Sequence, residues 1–371
     1  MKLKYFCLMI FLVTAIALTS CGLLGEDTAE ENAVPNTSDV VSEQPEQPSS
    51  EPVLDVEPTA APDTSMYAIN PFTGIKNMNI SNVGKRPVAV MINNVKLALP
   101  QAGITDFDMI YEIPAEGGVS RIMGIYADAA KMPSVIGPVR SARDYYISIA
   151  SGYNAVFAHF GTSTSADKAI KDNSVNNLDM MYLDYAYWRD QTRWNNKGKE
   201  HSAMTSGERL NKAISNKKYS MDSKTGITNA FNFYGQDNFT AAGTSDALKI
   251  SAKFSGSYVA EFNYDTNTKL YGKKHFSAAH VDEKGNQIQI TNVIVIYTKM
   301  TVLDKEGHLG VDLSSGKGYY FSGGKYKEIN WSKGKFNDLI KYYNTDGTAL
   351  TVNTGKTYVC IVDGAGRITM S

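Results

Sequence analysis

Two arginines stand where a helix is predicted to begin. The segment GPVRSARDYY (137–146) contains Arg140 and Arg143, and its Ser141 and Asp144 have the S-x-x-D spacing of a capping box. The N–H groups and dipole of a helix N-terminus attract anions, and arginine binds carboxylate or phosphate with two parallel hydrogen bonds. This pattern predicts an anion-binding site that includes Arg140, Ser141 and Arg143. The competing interpretation is that the arginines only form structural ion pairs, which resemble sites.

The elements after this helix add candidate ligand contacts. The helix should end near Gly152, and the apolar run 155–160, interrupted only by His159, predicts a buried strand. A hydroxyl-rich loop follows at the strand end, where rigid scaffolds usually carry ligand contacts. We therefore include Thr162 and Ser163, together with His159, among the candidate ligand-binding residues.

Acidic residues near a strand end suggest a second kind of chemistry. Glu112 and Glu116 flank the end of a predicted strand, and Arg121 begins the next one. Paired carboxylates can act as acid and base on a glycan, so the alternative to ligand binding is a cell-wall hydrolase that uses Glu112 and Glu116. No nucleophile or positioned base accompanies them, and ion pairing with the arginines is the simpler interpretation.

A further basic group lies among aromatic residues in YLDYAYWRDQTRW (182–194). Arginine forks bind anions, and aromatic rings stack on sugars or peptides. Arg189 and Arg193 therefore join Glu112, Glu116 and Arg121 as candidate ligand-binding residues.

Three short motifs resemble those of penicillin-recognising serine enzymes, namely SADK (165–168), SVN (174–176) and KTG (224–226). The first two are too close together for the helical subdomain that separates them in such enzymes, and the third lies in a polar loop. Three-residue patterns arise often by chance, which is the preferred explanation here.

Histidine and cysteine usage predicts neither a metal site nor a cofactor. The five histidines are scattered, His275 and His280 suit neither a helix face nor one face of a strand, and no cysteine pair supports zinc. Cys360 lies in an apolar run and is predicted to be a buried thiol. The segment 316–318 lacks the third glycine of a dinucleotide-binding motif.

The N-terminus predicts export and lipidation. Residues 1–20 combine Lys2 and Lys4 with an apolar run, and they end in Leu-Thr-Ser before Cys21, as in a bacterial lipoprotein signal peptide. Acylation of Cys21 by more than one chain would give stable anchoring to the extracytoplasmic face of the cell membrane. An ordinary signal peptide with an incidental cysteine is the alternative.

An acidic linker hides a basic folded part. Residues 21–66 are rich in Glu, Pro, Ser and Thr, which predicts disorder, and they hold 11 of the 38 acidic residues and no basic one. Lys2 and Lys4 are removed with the signal peptide. The chain after position 66 therefore contains 35 of the 37 basic residues and 27 acidic ones, which gives it a formal charge of +8. This charge favours an anionic cell-wall polymer or an envelope protein as partner, and no nucleic-acid reading motif is present.

The remaining chain divides into two predicted parts, an N-terminal α/β domain over 67–245 and a C-terminal β-rich domain over 246–371. In the first part, apolar runs predict strands over 87–92, 108–113, 119–127 and 155–160, and helices over 165–171 and 206–214. In the second, alternating or apolar runs at 257–264, 292–297, 318–322, 325–331 and 357–362 predict an antiparallel sheet.

Several long segments resemble the YerB-like lipoproteins, a bacterial domain family of unknown function. RPVAVMINN (86–94), QAGITDFDMIYEIPAEGGVSRIMGIY (101–126) and GPVRSARDYY (137–146) are similar to the N-terminal domain, and GKGYYFSGGKYKEINW (316–331) and LTVNTGKTYVCIV (350–362) to the C-terminal domain. The resemblance implies an α+β fold, a layered β/β/α sandwich, and no activity. Where the family has a Pro-His-Asn-like step, this chain has Glu200-His201-Ser202, which weakens any role borrowed for His201.

Overall fold

The computed structural model describes residues 66–223 and 230–371. The described residues belong to one compact unit, and none of their helices is long and apolar enough to cross a membrane. The predicted signal peptide, Cys21, the linker up to residue 65 and the KTG motif lie outside the described residues.

The described chain contains short helices and many strands. The α-helices are α1 (Asp144–Gly152), α2 (Thr164–Asp172), α3 (Gln191–Lys197) and α4 (Gly207–Asn216). The strands are β1 (Tyr67–Ile69), β2 (Lys76–Asn79), β3 (Val88–Asn93), β4 (Met109–Pro114), β5 (Ser120–Tyr126), β6 (Val156–His159), β7 (Asn177–Asp179), β8 (Trp188–Arg189), β9 (Ala203–Met204), β10 (Asn232–Phe233), β11 (Ser245–Asp246), β12 (Lys249–Lys253), β13 (Val259–Asp265), β14 (Leu270–His275), β15 (Ala278–Ala279), β16 (Gln289–Ile290), β17 (Asn292–Thr298), β18 (Met300–Val302), β19 (Leu309–Val311), β20 (Ser315–Ser322), β21 (Lys325–Ser332), β22 (Lys341–Asn344), β23 (Thr351–Val352), β24 (Thr357–Asp363) and β25 (Ile368–Met370).

One large sheet joins both predicted parts of the chain. Its strand order is β11-β21-β20-β17-β24-β4-β5-β3-β6-β7, with β22 added beside β21. The predicted antiparallel pairing of the C-terminal part holds for β17, β20 and β21, but β24 pairs in parallel with both β17 and β4. The last long strand therefore crosses the predicted boundary, and the division at 245/246 stays a prediction.

Strand periodicity explains how the large sheet is covered on both faces. Along β24, Tyr358 and Cys360 belong to one buried apolar cluster, whereas Val359 and Ile361 belong to another. Successive side chains of a strand point to opposite faces, so the clusters lie on opposite sides of the sheet. The first includes residues of the second sheet, β12–β16 with β25, and the second includes the apolar face of α1. The predicted α+β class is confirmed.

The start of α1 differs from the prediction. Its N-cap is Arg143, which has extended backbone and makes no side-chain capping hydrogen bond, and the helix begins at Asp144. Ser141 lies before the cap, in a segment that bridges to Thr162 through Ala142. The predicted capping box is therefore wrong, because the residues before Asp144 pair with the loop after β6 instead of turning into the helix.

Candidate functional site

The predicted ligand residues gather near one edge of the large sheet. Strand β3 is parallel to β6 and antiparallel to β5, which is itself antiparallel to β4. The carboxyl ends of β3, β4 and β6 therefore meet at the same edge, which we call the carboxyl edge. In α/β sheets, ligands bind outside the carboxyl ends of parallel strands.

The first feature of the carboxyl edge is an ion-pair cluster centred on Glu116. Arg143 donates from Nε to Glu116 Oε2 at 2.8 Å and from Nη2 to Oε1, and Arg121 donates from Nη2 to the same Oε1. Arg121 and Arg143 are buried. Burial, followed by the neighbouring Arg143, lowers the pKa of Arg121 to about 10. These three residues satisfy one another, so two of the predicted arginines act as structural ion pairs.

Arg140 differs from these two arginines because it reaches solvent. Its side chain is 29% exposed, and its Nη2 donates at 2.8 Å to Oε2 of Glu200, whose side chain is 68% exposed. The Arg140 backbone is held firmly, since its N–H binds the carbonyl of Met91 and its carbonyl accepts from Phe160. An exposed ion pair of this kind contributes little stability, about 0–1 kcal/mol. The Arg140 guanidinium thus extends from a hydrogen-bonded backbone and is paired with an exposed carboxylate.

His201 and Asn93 extend this surface. Asn93 Nδ2 lies 2.9 Å from His201 Nδ1 and 3.4 Å from the carbonyl oxygen of Glu200. Burial lowers the pKa of His201, and the positive charge of Arg140 lowers it further. The neutral ring can therefore accept a hydrogen bond at Nδ1 from the Asn93 amide. The sequence offers no local signal for the contact of His201 with Asn93, because it depends on a tertiary approach across 108 residues.

Arg189 lies among aromatic rings beside the same turn. Its guanidinium carbon is 4.5 Å from the ring centroid of Phe160, 5.6 Å from Tyr187 and 6.0 Å from Trp194. Its Nη1 donates at 2.7 Å to the carbonyl of Lys199, next to Glu200. The predicted grouping of this arginine with aromatic residues is therefore present, and it fixes the turn that carries Glu200 and His201.

Arg193 has a structural role. Its Nη1 donates at 3.0 Å to the carbonyl of Ala98, and its Nη2 donates to the carbonyl of Pro100. Burial is the main cause that lowers its pKa. It attaches α3 to the loop after β3, and its charge still adds to the positive potential of the edge.

The hydroxyl loop and His159 are used mainly inside the protein. Ser163 caps α2 by accepting from the N–H of Ala166, whereas Thr162 stays partly exposed. His159 is fully buried, with Nδ1 3.0 Å from the carbonyl of Gly161 and Nε2 3.1 Å from Asn177 Oδ1. Burial lowers its pKa. Thr162 therefore remains accessible at the edge, and His159 does not.

Glu112 lies in the interior, away from solvent. Its Oε1 accepts from Ser120 Oγ at 2.6 Å and from Asn94 Nδ2 at 2.8 Å. Its Oε2 accepts from the Tyr358 hydroxyl at 2.5 Å and lies 3.4 Å from Lys273 Nζ, with both charged side chains 0% exposed. This places Glu112 among internal partners instead of at a ligand surface.

The interior network continues from Lys273 through two histidines. Lys273 Nζ lies 3.0 Å from His280 Nδ1, and His280 Nε2 lies 2.8 Å from Gln101 Oε1. The His275 ring stacks on His280 with centroids 5.3 Å apart. Burial lowers the pKa of both histidines, that of His280 strongly. Neutral His280 can therefore accept from Lys273 and donate to Gln101 at the same time.

The two carboxylates do not form a hydrolase pair in this geometry. Burial alone would raise the pKa of Glu112, but the charge of Lys273 opposes it and the pKa is lowered. For Glu116, the hydrogen bond from Arg143 outweighs burial in the same way, and its pKa is also lowered. Glycoside hydrolysis needs one protonated carboxyl group as acid, which neither residue supplies near neutral pH.

The other sequence motifs offer no assembled chemistry. Lys168 of SADK pairs with Asp172 on the exposed face of α2, whereas Ser165 Oγ donates to Asp144 Oδ1 at 3.2 Å. Within the described ranges, one cluster has metal-ligand composition, Asp304, Glu306 and His308 in an exposed turn. His308 Nδ1 lies 2.7 Å from Asp304 Oδ2, so hydrogen bonding within the turn accounts for their approach.

A polar cavity of about 470 Å³ lies at the opposite, amino edge of the sheet, around Arg86. The Arg86 guanidinium donates to the carbonyls of Asn154, Ala155 and Ser220 and to Asn176 Oδ1. Its N–H groups are thus used to join four chain segments. Arg86 has a structural role, and the carboxyl edge stays the better candidate site.

Comparison with known proteins identifies relatives over most of the chain. Residues 72–220 match the N-terminal domain, and residues 250–359 the C-terminal domain, of DUF3048, a family described as proteins of unknown function. A Bacillus subtilis (strain 168) protein named "Putative lipoprotein YerB" is 29% identical over 309 residues, covering 82% of this chain and 88% of that protein. The crystal structure of YerB from Bacillus subtilis superposes with a TM-score of 0.70 and 28% identity, covering 81% of this chain and 98% of that one.

Proposed function

Because the chain belongs to the DUF3048 family, whose YerB relative is named as a lipoprotein, we propose that it is a lipid-anchored protein that binds an anionic component of the cell envelope. The anchor is acylated Cys21, and the folded part stands on the extracytoplasmic face of the membrane. The family description names no activity.

The observation that carries the proposal is the partly exposed Arg140 at the carboxyl edge. Its two neighbours, Arg121 and Arg143, are saturated by Glu116, whereas Arg140 has the exposed Glu200 as its ion-pair partner. An anionic ligand can therefore replace the Glu200 carboxylate on Arg140 without breaking any buried contact. A charge-assisted, bidentate hydrogen bond favours carboxylate or phosphate here.

The surroundings of Arg140 strengthen its attraction for anions. Arg121, Arg140, Arg143, Arg193 and Lys197 lie close enough for their charges to affect one another or His201. Glu116, Glu200, Asp190 and Glu283 offset part of this charge. A surface on which positive charge predominates raises the local concentration of anionic ligands and speeds their association.

Neutral groups at the same edge suit a polymer that carries hydroxyl groups as well as charge. Thr162 is partly exposed beside the segment of Ser141, since Ala142 and Thr162 are paired. Trp194, next to Arg189, is 37% exposed and offers a face on which a sugar ring could stack. The β/β/α layering implied by the family resemblance is the frame we propose for these elements, with the site outside the central layer.

A sedimentation assay tests the binding proposal. The mature protein is incubated with peptidoglycan that carries its anionic polymers, and with the same material stripped of them. We expect cosedimentation with the first, fading as salt rises because exposed charges are screened over about 8 Å at physiological ionic strength. Equal binding to both materials contradicts the proposal, and release of soluble muropeptides would mean that the protein cleaves peptidoglycan with residues other than the Glu112 and Glu116 pair.

A cysteine variant tests the anchor separately. Cys21→Ala removes the acylated side chain, and we expect the protein to be recovered unprocessed or shed from the cell. If the variant still fractionates with salt-washed membranes as the unchanged protein does, the lipid-anchor proposal is wrong. Retained binding to anionic polymer by this variant would leave the carboxyl-edge site unaffected.

A further inference from the structure

The first described residues carry an unusual number of exposed apolar side chains. Between residues 66 and 86 these side chains lie on the β1–β2 hairpin and the turn that follows it. They are Met66, Tyr67, Ile69, Ile80 and Val83. Ile69 is 57% and Val83 55% exposed, so neither contributes much to the core. Exposed apolar groups scattered singly need no explanation, but a contiguous group marks an interaction surface.

The geometry shows that these side chains are contiguous. Ile69 and Val83 line the same cavity of about 70 Å³ together with Phe72 and Met78. The N–H of Val83 binds the carbonyl of Ile80, which places both residues on one turn. Tyr67 and Ile69 are both exposed and lie two residues apart in β1, whose pairing with β2 shifts in register between Ala68 and Ile69. We call this surface the hairpin patch.

The charge around the hairpin patch is basic. Residues 66–86 contain no acidic residue. Of their three basic residues, Arg86 is buried and Lys85 is paired with the exposed Asp222, so Lys76 carries the basic charge of this segment. Lys76 is exposed, and Lys131 Nζ lies 5.0 Å from the ring centroid of Tyr67. Asp128, the acidic residue that binds Asn79, is buried. Apolar side chains surrounded by lysines are typical of surfaces that lie at the boundary of an anionic bilayer.

The position of the patch on the chain supports the same partner. The described chain begins at Met66, within the patch, and Cys21 precedes it by 45 residues. Gly84 and Lys85 lead into β3 at its amino end, so the patch lies at the amino edge of the sheet, opposite to Arg140. A membrane contact here would leave the carboxyl edge facing away from the bilayer.

We propose that the hairpin patch docks on the anionic lipid surface and orients the folded part with its carboxyl edge outward. This inference rests on the lipid anchor of the proposed function, because the anchor keeps the domain near the bilayer. Amphipathic surfaces of this kind bury their apolar side chains about 5–10 Å into the headgroup boundary. Docking then places Val83 among lipids and keeps the ligand site accessible from the cell wall.

A fluorescent probe at Val83 tests the docking. In the mature lipidated protein Cys21 is acylated and Cys360 is buried, so Val83→Cys provides an accessible thiol for an environment-sensitive dye. The labelled protein is reconstituted in vesicles of equal parts phosphatidylglycerol and phosphatidylcholine that carry a quencher on the acyl chain. Val302→Cys is the matched control, since Val302 is 68% exposed and follows β17 at the carboxyl edge.

We expect several-fold stronger quenching at position 83 than at position 302, and loss of the difference when Ile69→Asp and Ile80→Asp are added. Both isoleucines are more than half exposed, so circular dichroism should report an unchanged fold. Equal quenching at both positions, or a buried dye at position 83 that lipid does not quench, overturns the inference. The second result would mean that protein covers the patch.

The same preparation separates this inference from the anchor. If the protein floats with the vesicles but position 83 is not quenched, the anchor stands and the docking is wrong. If the protein does not float at all, the anchor is wrong and the docking falls with it. Cosedimentation with anionic polymer through Arg140 is measured independently of either result.

Discussion

Glu112 and Glu116 lie four residues apart in the chain and in two very different environments. Glu112 is fully buried and paired with Lys273, and its partners come from strands of both predicted parts of the chain. Glu116 lies in the turn between β4 and β5, where it binds Arg121 and Arg143 at the edge of the sheet. The interior carboxylate holds sheets together, whereas the edge carboxylate organises a basic surface.

The two regions differ in whether a ligand can reach their charged groups. A buried ion pair loses much of its Coulombic gain to desolvation, and breaking it leaves an uncompensated charge. The pair at Glu112 therefore fixes the packing of β14 on β4 but offers nothing to a ligand. At the edge, saturation of Arg121 and Arg143 leaves Arg140 as the arginine with an exchangeable partner, so the site is a single position supported by two structural arginines.

Breaking the interior pair should have the largest effect. Glu112→Gln leaves Lys273 buried without a counter-charge, and we expect a loss of about 3–5 kcal/mol in the free energy of unfolding. Urea denaturation measures it. Glu112→Leu combined with Lys273→Met is the control, since it removes both charges and should recover part of the loss. A loss below about 1 kcal/mol for Glu112→Gln would contradict the assignment.

Breaking the edge cluster should cost less. Arg143→Gln removes two charge-assisted hydrogen bonds to Glu116, but Arg121 remains, and we expect a loss of about 1.5–3 kcal/mol. Arg143→Lys keeps the charge without the planar fork and should lie between the variant and the unchanged protein. Thermal melts of the three proteins check this order. If Arg143→Gln lost more stability than Glu112→Gln, the edge cluster and not the interior pair would be the more important to the fold.

The interior network should also make stability depend on pH. His275 and His280 have lowered pKa values in the folded protein, because burial disfavours the charged ring. Below the ordinary value of 6.5 the unfolded chain binds protons that the folded protein does not, so stability falls as pH drops from about 6.5. Denaturation at a series of pH values measures the slope, up to about 1.4 kcal/mol per pH unit for each histidine.

A variant assigns this pH dependence to the interior. His280→Gln should lower stability near pH 7.5 and flatten the slope below pH 6.5, because one proton-binding group is lost from the unfolded state. An unchanged slope would mean that His280 titrates alike in both states. Arg140→Gln is the matched edge variant, and it should flatten the slope only slightly, because it removes a charge that lowers the pKa of the partly exposed His201.

Much of the fold could be predicted from the sequence, because long apolar runs and Gly-Gly turns are local signals. The strands at 87–92 and 292–297 lie within one residue of the observed β3 and β17. The pairing of β24 with β4 could not be predicted, since it joins residues more than 240 positions apart. Strand register and sheet order depend on such distant contacts, and the local periodicity of a single sequence does not indicate which strands pair.

The sequence predicts which residue types lie near the candidate site, but it does not predict which of them pair with one another and which reach solvent. The ion pairing of Arg143 with Glu116 was the simpler interpretation of those residues, and the structure has it. The capping role of Ser141 was wrong, because the segment before α1 pairs with the loop after β6. The charge of Glu112 and the polarity of His159 predict site residues, but the burial of Glu112 depends on Lys273 of the second sheet, and His159 is buried beside Asn177.

The most direct test of the account uses two substitutions at one exposed pair. Arg140→Gln should weaken cosedimentation with the anionic polymer by tenfold or more, since a charge-assisted hydrogen bond is worth about 1.5–3 kcal/mol. Glu200→Gln should strengthen it, because the carboxylate that competes for Arg140 is gone. Both melting temperatures should stay near that of the unchanged protein. Weakened binding by both variants, or by neither, would contradict the assignment of the ligand to Arg140.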